Sequence, residues 1–266
     1  MKYDFHIHSG FSGDSDTPME DMIRKGISLG LKTMCMTEHY DEDFPAGFGD
    51  FSLDTEAYYG EFCRLKAKYA GDIELLFGVE LGMQVHLGSV YEEYVSRRPF
   101  DYCIASQHLS DRIDPYYPLY WEKYSPQEGI CRYFSETLEC LKNMKDYDAL
   151  GHLDYIVRYS GPGKDSFHYA AYADHIDPIL QHIIEEGKCL EVNTAGLKYG
   201  LGHPNPREDI LKRYREMGGE DLIIGSDGHR PEHLAYGFDL ITDLLKDLGF
   251  RYHCIFRERK AVHIPL

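Results

Sequence analysis

Short apolar, β-prone runs in this chain end, one after another, in side chains that can bind a metal ion. Run 3–8 closes in His6-Ile7-His8, run 33–39 in Glu38-His39, run 73–80 in Glu80, and run 101–108 in His108. Run 148–154 closes in His152-Leu153-Asp154, run 188–193 in Glu191 and Asn193, and run 222–227 in Asp227, with His229 two residues on. Continuous apolar runs of this length read as strands buried on both faces. Helical segments separate them. Pro18 sits in the first turn of one that opens over Asp16-Thr17-Pro18-Met19-Glu20 and stops at Gly30. Others are predicted over 55–69, 127–144, 171–186, 207–217 and 232–248, with Gly71, Gly187, Gly218 and Gly249 as stops for four of them. Strand–helix alternation with short connections gives an α/β fold with a parallel sheet. Seven such units closed on themselves make a barrel. Barrels of this kind carry their sites at the carboxyl ends of the strands, and that rim is where the polar residues fall.

At 266 residues, with 43% hydrophobic side chains and no repeat or linker-like break, the chain fits one domain spanning 1–266. The formal net charge of −17 argues against a nucleic acid as partner and suits metal cations or a positively charged substrate. No apolar run approaches the ~20 residues of a membrane span. The opening Met-Lys-Tyr-Asp-Phe-His lacks a secretory apolar core, so a cytoplasmic location is expected, with no membrane partner. Cys35, Cys63, Cys103, Cys131, Cys140, Cys189 and Cys254 form no Cys-x-x-Cys pair. Reduced, buried thiols are expected, rather than a thiolate metal site or a disulfide framework.

A His-x-His pair on a strand projects both imidazoles to one face, because the side-chain period is two. A lone imidazole of this kind is usually a hydrogen-bonded core group. The combination with six further strand ends is what points to a metal centre. Mixed imidazole and carboxylate donors favour Zn, Fe or Mn over Ca or Mg.

Taken together, Asp4-Phe5-His6-Ile7-His8, Thr37-Glu38-His39, Gly78-Val79-Glu80, Gln107-His108, Gly151-His152-Leu153-Asp154 and Gly225-Ser226-Asp227-Gly228-His229 resemble the PHP (polymerase and histidinol phosphatase) family in order and spacing. Glu191-Val192-Asn193-Thr194-Ala195-Gly196-Leu197 is similar to the sixth-strand motif of its stand-alone histidinol phosphatases. The resemblance implies a distorted (β/α)7 TIM-like barrel holding two or three divalent ions. It implies His6, His8, Glu80 and Asp227 around the first ion. Glu80 would bridge to a second held by His108 and His152, and His39 and His229 would hold the third. Many relatives complete the third site with a histidine at the position of Asp14; Asp14 is expected to serve here, with Asp16 as the other candidate. The implied activity is hydrolysis of a small phosphomonoester, L-histidinol phosphate foremost, by attack of a metal-bridging hydroxide.

A phosphomonoester needs fixed cationic donors, and Arg158, Lys198 and Arg230 follow the fifth, sixth and seventh strand ends. Histidinol phosphate also carries an amine and an imidazole, for which Glu38, Asp154, Glu42 and Asp43 are candidates. Glu38 and Asp154 either act on the substrate or orient the adjacent histidines. Tyr116, Tyr117, Tyr120, Trp121 and Tyr124 form a segment able to wall the pocket or to pack beneath a loop. His86, His168, His175, His182, His203, His233 and His253 fall outside the motifs and are expected to be structural. Alternatives are a phosphatase for another small phosphomonoester or for phosphotyrosine, and a relict metal-binding module without turnover. Ser9-Gly10-Phe11-Ser12 after the His-x-His counts against the phosphotyrosine reading.

Overall fold

The computed structural model describes residues 2–161 and 167–266. Its strands are β1 (Tyr3–Asp4), β2 (Thr33–Tyr40), β3 (Glu74–Gly82), β4 (Tyr102–Ser106), β5 (Ala149–Leu150), β6 (Cys189–Asn193), β7 (Leu222–Gly225), β8 (Tyr252–Arg257) and β9 (Lys260–Pro265). They lie in one sheet in chain order. Neighbours run parallel as far as β8, and β9 folds back antiparallel on it. After β1 the chain bonds to the end of β7. Phe5 donates to the Ile224 carbonyl at 3.2 Å, His8 to Gly228 at 2.9 Å, and Gly228 to His6 at 3.2 Å. These bonds bring the first strand against the seventh and carry the sheet around an interior.

The larger connecting helices are α1 (Met19–Ser28), α2 (Thr55–Lys68), α3 (Gly88–Ser96), α4 (Pro118–Lys123), α5 (Pro126–Asn143), α6 (Ala173–Glu185), α7 (Ala195–Lys198), α8 (Glu208–Glu216) and α9 (Phe238–Asp247). Their apolar stripes pack on the outside of the sheet. In α1 the buried side is Met19, Met22, Ile23 and Gly26. Gly26 is needed for the approach, since a Cβ there would fall 2.1 Å from the Met34 sulfur. Ser125 and Glu128 form a reciprocal cap at the start of α5, satisfying backbone donors that the helix itself cannot. A second, smaller core fills the interior of the sheet. Phe5, Cys35, Leu76, Tyr102, Ile104, Ala149, Cys189 and Ile223 meet there, as side chains from successive strands do inside a filled barrel. This packed floor leaves the carboxyl rim as the place for an open site. No helix among the described residues is long and apolar enough to cross a membrane.

Several elements differ from the sequence reading, the short helices α4 and α7 among them. The hairpin β8–β9 adds to the seven expected strands. Most of β9 faces solvent, so it lacks the continuous apolar pattern. The turn residues Glu258 and Arg259 take positive φ values of 49° and 63°, where Asn-Gly is the usual signal. Tertiary contacts hold that turn instead, with Glu258 N bonding Asp101 Oδ1 at 3.0 Å and the Arg259 guanidinium bonding Asp146 at 2.9 Å. Helix α3 buries only Gly88, Tyr91 and Val95, a stripe too narrow to read. The last helix begins at Phe238 rather than 232, because Gly237 turns left-handed at φ 70° immediately before it.

Candidate metal centre

Strand register sets the centre. His39 on β2 pairs directly with Glu80 on β3, and the period of two aims His6 and His8 at the same space. Glu80 lies in the middle. Its Oε2 is 3.1 Å from His6 Nε2, 3.3 Å from His8 Nε2 and 3.1 Å from His39 Nδ1. Its Oε1 is 2.9 Å from His152 Nε2 and 3.3 Å from His108 Nε2. Asp227 Oδ1 approaches His8 Nε2 at 3.6 Å and His229 Nδ1 at 3.4 Å. Asp14, not Asp16, reaches the far side, with Oδ2 at 3.0 Å from His229 Nε2 and 3.7 Å from His39 Nε2. The structure thus gathers His6, His8, Asp14, His39, Glu80, His108, His152, Asp227 and His229 from the carboxyl ends of six strands into one cluster.

The donor set fits divalent cations. His6 Nε2, His8 Nε2, His39 Nδ1, His229 Nε2 and Glu80 Oε2 are buried and have no hydrogen-bond partner. Lone pairs pointed at one another in this way are costly in a protein interior unless a cation satisfies them. Three triads bring their donor atoms within 4.8 Å of one another: His6, His8 and Glu80; His39, Glu80 and His108; and His8, His39 and His229. His39 therefore stands between groups rather than in a third site alone. Burial pushes the Glu80 carboxyl up, but the imidazoles of His6, His39 and His108 outweigh it and hold the group well below its usual range. Burial, with the charges of His229 and His39, lowers His8 to about 3, leaving it neutral as ligation requires.

Three of the remaining ring nitrogens, on His6, His8 and His108, are held from behind. His6 Nδ1 lies 2.5 Å from Glu191 Oε1, and the other Glu191 oxygen accepts the His152 amide at 2.7 Å. His108 Nδ1 lies 2.6 Å from Asp41, and His8 Nδ1 3.0 Å from the Ser12 hydroxyl. Such contacts fix tautomer and ring orientation. Two glycines make room for them. A Cβ on Gly225 would fall 2.3 Å from His6 Cβ, and one on Gly82 would fall 1.9 Å from Asp41 Oδ1. Asp227 itself sits at φ 52°, a conformation uncommon for a side-chain-bearing residue and often found at functional positions.

The cluster floors a cavity of about 610 Å³ whose rim carries Arg158, Arg230 and Asp114 and whose walls include Phe44, Phe51, Tyr116, Tyr117, Tyr155 and Tyr159. Arg158 is braced over the Tyr199 ring, 3.2 Å from its centroid. Burial raises the Asp114 carboxyl to about 6. Tyr116 and Tyr117 are therefore wall residues, whereas Tyr120 is buried and bonds the Gly129 carbonyl at 2.8 Å.

Several substrate-facing expectations require correction. Glu38 is fully buried, and its oxygens accept from Ser9 N at 2.9 Å, Ser9 Oγ at 2.5 Å and Ser12 Oγ at 2.6 Å. It acts on the centre only through Ser12. Asp154 is also fully buried, and accepts from Asn205 Nδ2 at 2.5 Å and Arg207 N at 3.0 Å, so it pins that loop. Lys198 donates to the Asp227 carbonyl at 2.9 Å, behind the ligand. Glu42 accepts from the Tyr40 hydroxyl at 2.7 Å, and Asp43 pairs with Arg112 at 2.7 Å and His86 at 2.9 Å. Sequence reasoning passed over Asp41 and Asp114. Asp41 carried a usable signal, since it follows His39 by two and so shares its face.

The chain belongs to the PHP domain family, whose model matches residues 4–195. It is 31% identical over 265 residues to the histidinol-phosphatase of Lactococcus lactis, covering 97% of this chain and 96% of the relative. It is 32% identical over 238 residues to a probable histidinol-phosphatase of Clostridium acetobutylicum, covering 90% of each. The crystal structure of the Lactococcus lactis histidinol phosphate phosphatase in complex with zinc, L-histidinol and phosphate matches with a TM-score of 0.91 at 29% identity, covering 98% of both chains.

Proposed function

We propose that this chain is a metal-dependent phosphatase that hydrolyses L-histidinol phosphate to L-histidinol and phosphate in histidine biosynthesis. The observation that carries the reading is the shared cavity. The His/Glu/Asp cluster, two arginines and a carboxyl-bearing aromatic wall all face one space, in a chain that matches a relative crystallised with both products almost end to end. His6, His8, Asp14, His39, Glu80, His108, His152, Asp227 and His229 would hold two or three ions of the Zn, Fe or Mn class. When bound, such ions supply Lewis acidity toward phosphate oxygens and a nucleophilic water at neutral pH.

The chain's own residues do the rest. Arg158, held flat over Tyr199, grips phosphate oxygens through its planar fork. Arg230 adds a second positive charge on the same rim. Together they offset charge as it builds on the phosphoryl group. Asp114 faces the leaving half of the substrate and pairs with its amine or imidazole. Phe44, Phe51, Tyr155 and Tyr159 give the imidazole apolar faces and limit water. Glu191, Asp41 and the Glu38–Ser12 pair are positioning residues that hold His6, His108 and His8. The substrate is small and soluble, and the reading places the reaction in the cytoplasm.

A panel of phosphomonoesters compared by kcat/KM tests the assignment. Histidinol phosphate is expected to lead by at least about tenfold, or ~1.4 kcal/mol of transition-state discrimination. A flat profile would leave a general phosphomonoesterase. An absence of turnover on every ester, with ions fully bound, would leave the relict module.

A further inference from the structure

A second donor cluster lies at the opposite end of the sheet. Asp221 immediately precedes β7, and Cys254 and His263 face each other as a register pair on β8 and β9. Asp221 Oδ1 is 2.8 Å from His263 Nε2 and 3.7 Å from Cys254 Sγ. The donor atoms of Asp221, Cys254 and His263 all lie within 4.8 Å of one another. Cys254 is fully buried, whereas the His263 and Asp221 side chains are 52% and 40% exposed. An ion can therefore arrive from solvent and meet sulfur on the protein side.

We propose that Asp221, Cys254 and His263 form a second transition-metal site of structural role at the amino-terminal end of the sheet. One thiolate, one imidazole and one carboxylate suit a zinc-class ion, with water completing its shell, and not calcium or magnesium. Binding expels the Cys254 thiol proton to solvent and replaces the Asp221–His263 hydrogen bond with two metal–ligand bonds. The fold gives such an ion a task. Strands β6 and β7 share four register pairs, but β7 and β8 share only Ile223 with Cys254. The β7–β8 seam is thus thin, although the hairpin turn is held by Asp101 and Asp146, and an ion held by residues on or beside β7, β8 and β9 would clamp that seam. Cysteine spacing carries no hint of this, because the donors come from separate strands.

The catalytic cluster contains no cysteine, so sulfur-to-metal absorption reports this site alone. Cobalt(II) is titrated into the full chain after its metals are stripped, and the near-ultraviolet thiolate-to-cobalt charge-transfer band is followed. The band is expected to saturate at stoichiometric cobalt and to vanish in Cys254→Ser, while Cys63→Ser, at an exposed cysteine, keeps it. Cys254 is buried, so His263→Gln at the solvent edge supplies the second arm. It is expected to weaken cobalt binding at this site by at least about tenfold, to lower the metal-dependent rise in Tm, and to leave kcat/KM unchanged. The proposal fails if stoichiometric cobalt gives no thiolate band, or if the band is unaltered in His263→Gln. Neither result depends on the chain being a phosphatase.

Discussion

His108 is gripped at both ring nitrogens by carboxylates: Nδ1 lies 2.6 Å from Asp41 Oδ1, and Nε2 lies 3.3 Å from Glu80 Oε1. Asp41 thus fixes which nitrogen His108 offers to the centre, and its negative charge makes that nitrogen a better donor. Asp41→Asn is expected to weaken metal affinity by about 10- to 100-fold while leaving the fold intact. Metal content after dialysis against a graded chelator series measures it. Wild-type retention in the variant would mean that His108 does not depend on Asp41.

Glu80 touches five imidazoles, and its removal should have the broadest effect on the centre. Glu80→Gln is expected to lose ions from both sides of the cluster together, and with them at least about 10³-fold in kcat, as expected when Lewis-acid stabilisation of several kcal/mol disappears. Elemental analysis alongside steady-state kinetics is the check. The expectation is sunk if one class of ion departs while the rest stays at full occupancy. Chelation of the wild type should give the same loss, reversed by adding Zn, Fe or Mn.

Arg158 carries the phosphate-binding proposal. Arg158→Ala removes charge-assisted bonds worth about 1.5–3 kcal/mol, so kcat/KM should fall roughly 10- to 100-fold. Arg158→Lys should recover only part of the loss, since an ammonium cannot reproduce a planar fork braced on Tyr199. Lys198→Met, which alters a residue bonded to the Asp227 carbonyl rather than lining the cavity, should act through the metal centre and change metal affinity more than KM. Equal KM effects for the two positions would reverse these roles.

What the sequence made readable follows from the geometry of strands. Residues at the ends of buried strands in a closing parallel sheet must converge, so His6, Glu80, His108 and Asp227 could be placed together from their positions alone. The same period of two, carried further, separates Glu38 from His39: neighbours on a strand face opposite sides. That is why Glu38 turns to Ser9 and Ser12 while Asp41 joins the centre. The cavity wall was not readable in this way. Phe44, Phe51, Tyr155 and Tyr159 lie beyond the strand ends, where no fixed period sets direction and tertiary packing decides. The β8–β9 turn was hidden for a related reason, since Glu258 and Arg259 are held in their left-handed conformations by distant partners rather than by turn-forming residues.

Outside the centre, His253 offers a stability test with a definite sign. It lies on β8, 2% exposed, with its ring 5.6 Å from that of Tyr3. Burial lowers its imidazole to about 4, against an ordinary value near 6.5 in an unfolded chain. Between those values the unfolded chain binds a proton that the folded chain refuses, so stability rises with pH across that window. The contribution is fully present above about pH 6.5 and is lost as pH falls through about 4, amounting to about 3 kcal/mol at full extent. Protons also compete with ions at the His/Glu centre in the same range, so wild type alone cannot isolate the effect. His253→Gln keeps an N–H donor but does not titrate, and the centre is common to both proteins. Urea unfolding of the two at matched metal loading from pH 7 down to 4 should give a difference that shrinks in favour of the variant as pH falls. Curves that stay parallel would show that the buried imidazole takes up its proton as readily in the folded chain as in the unfolded one.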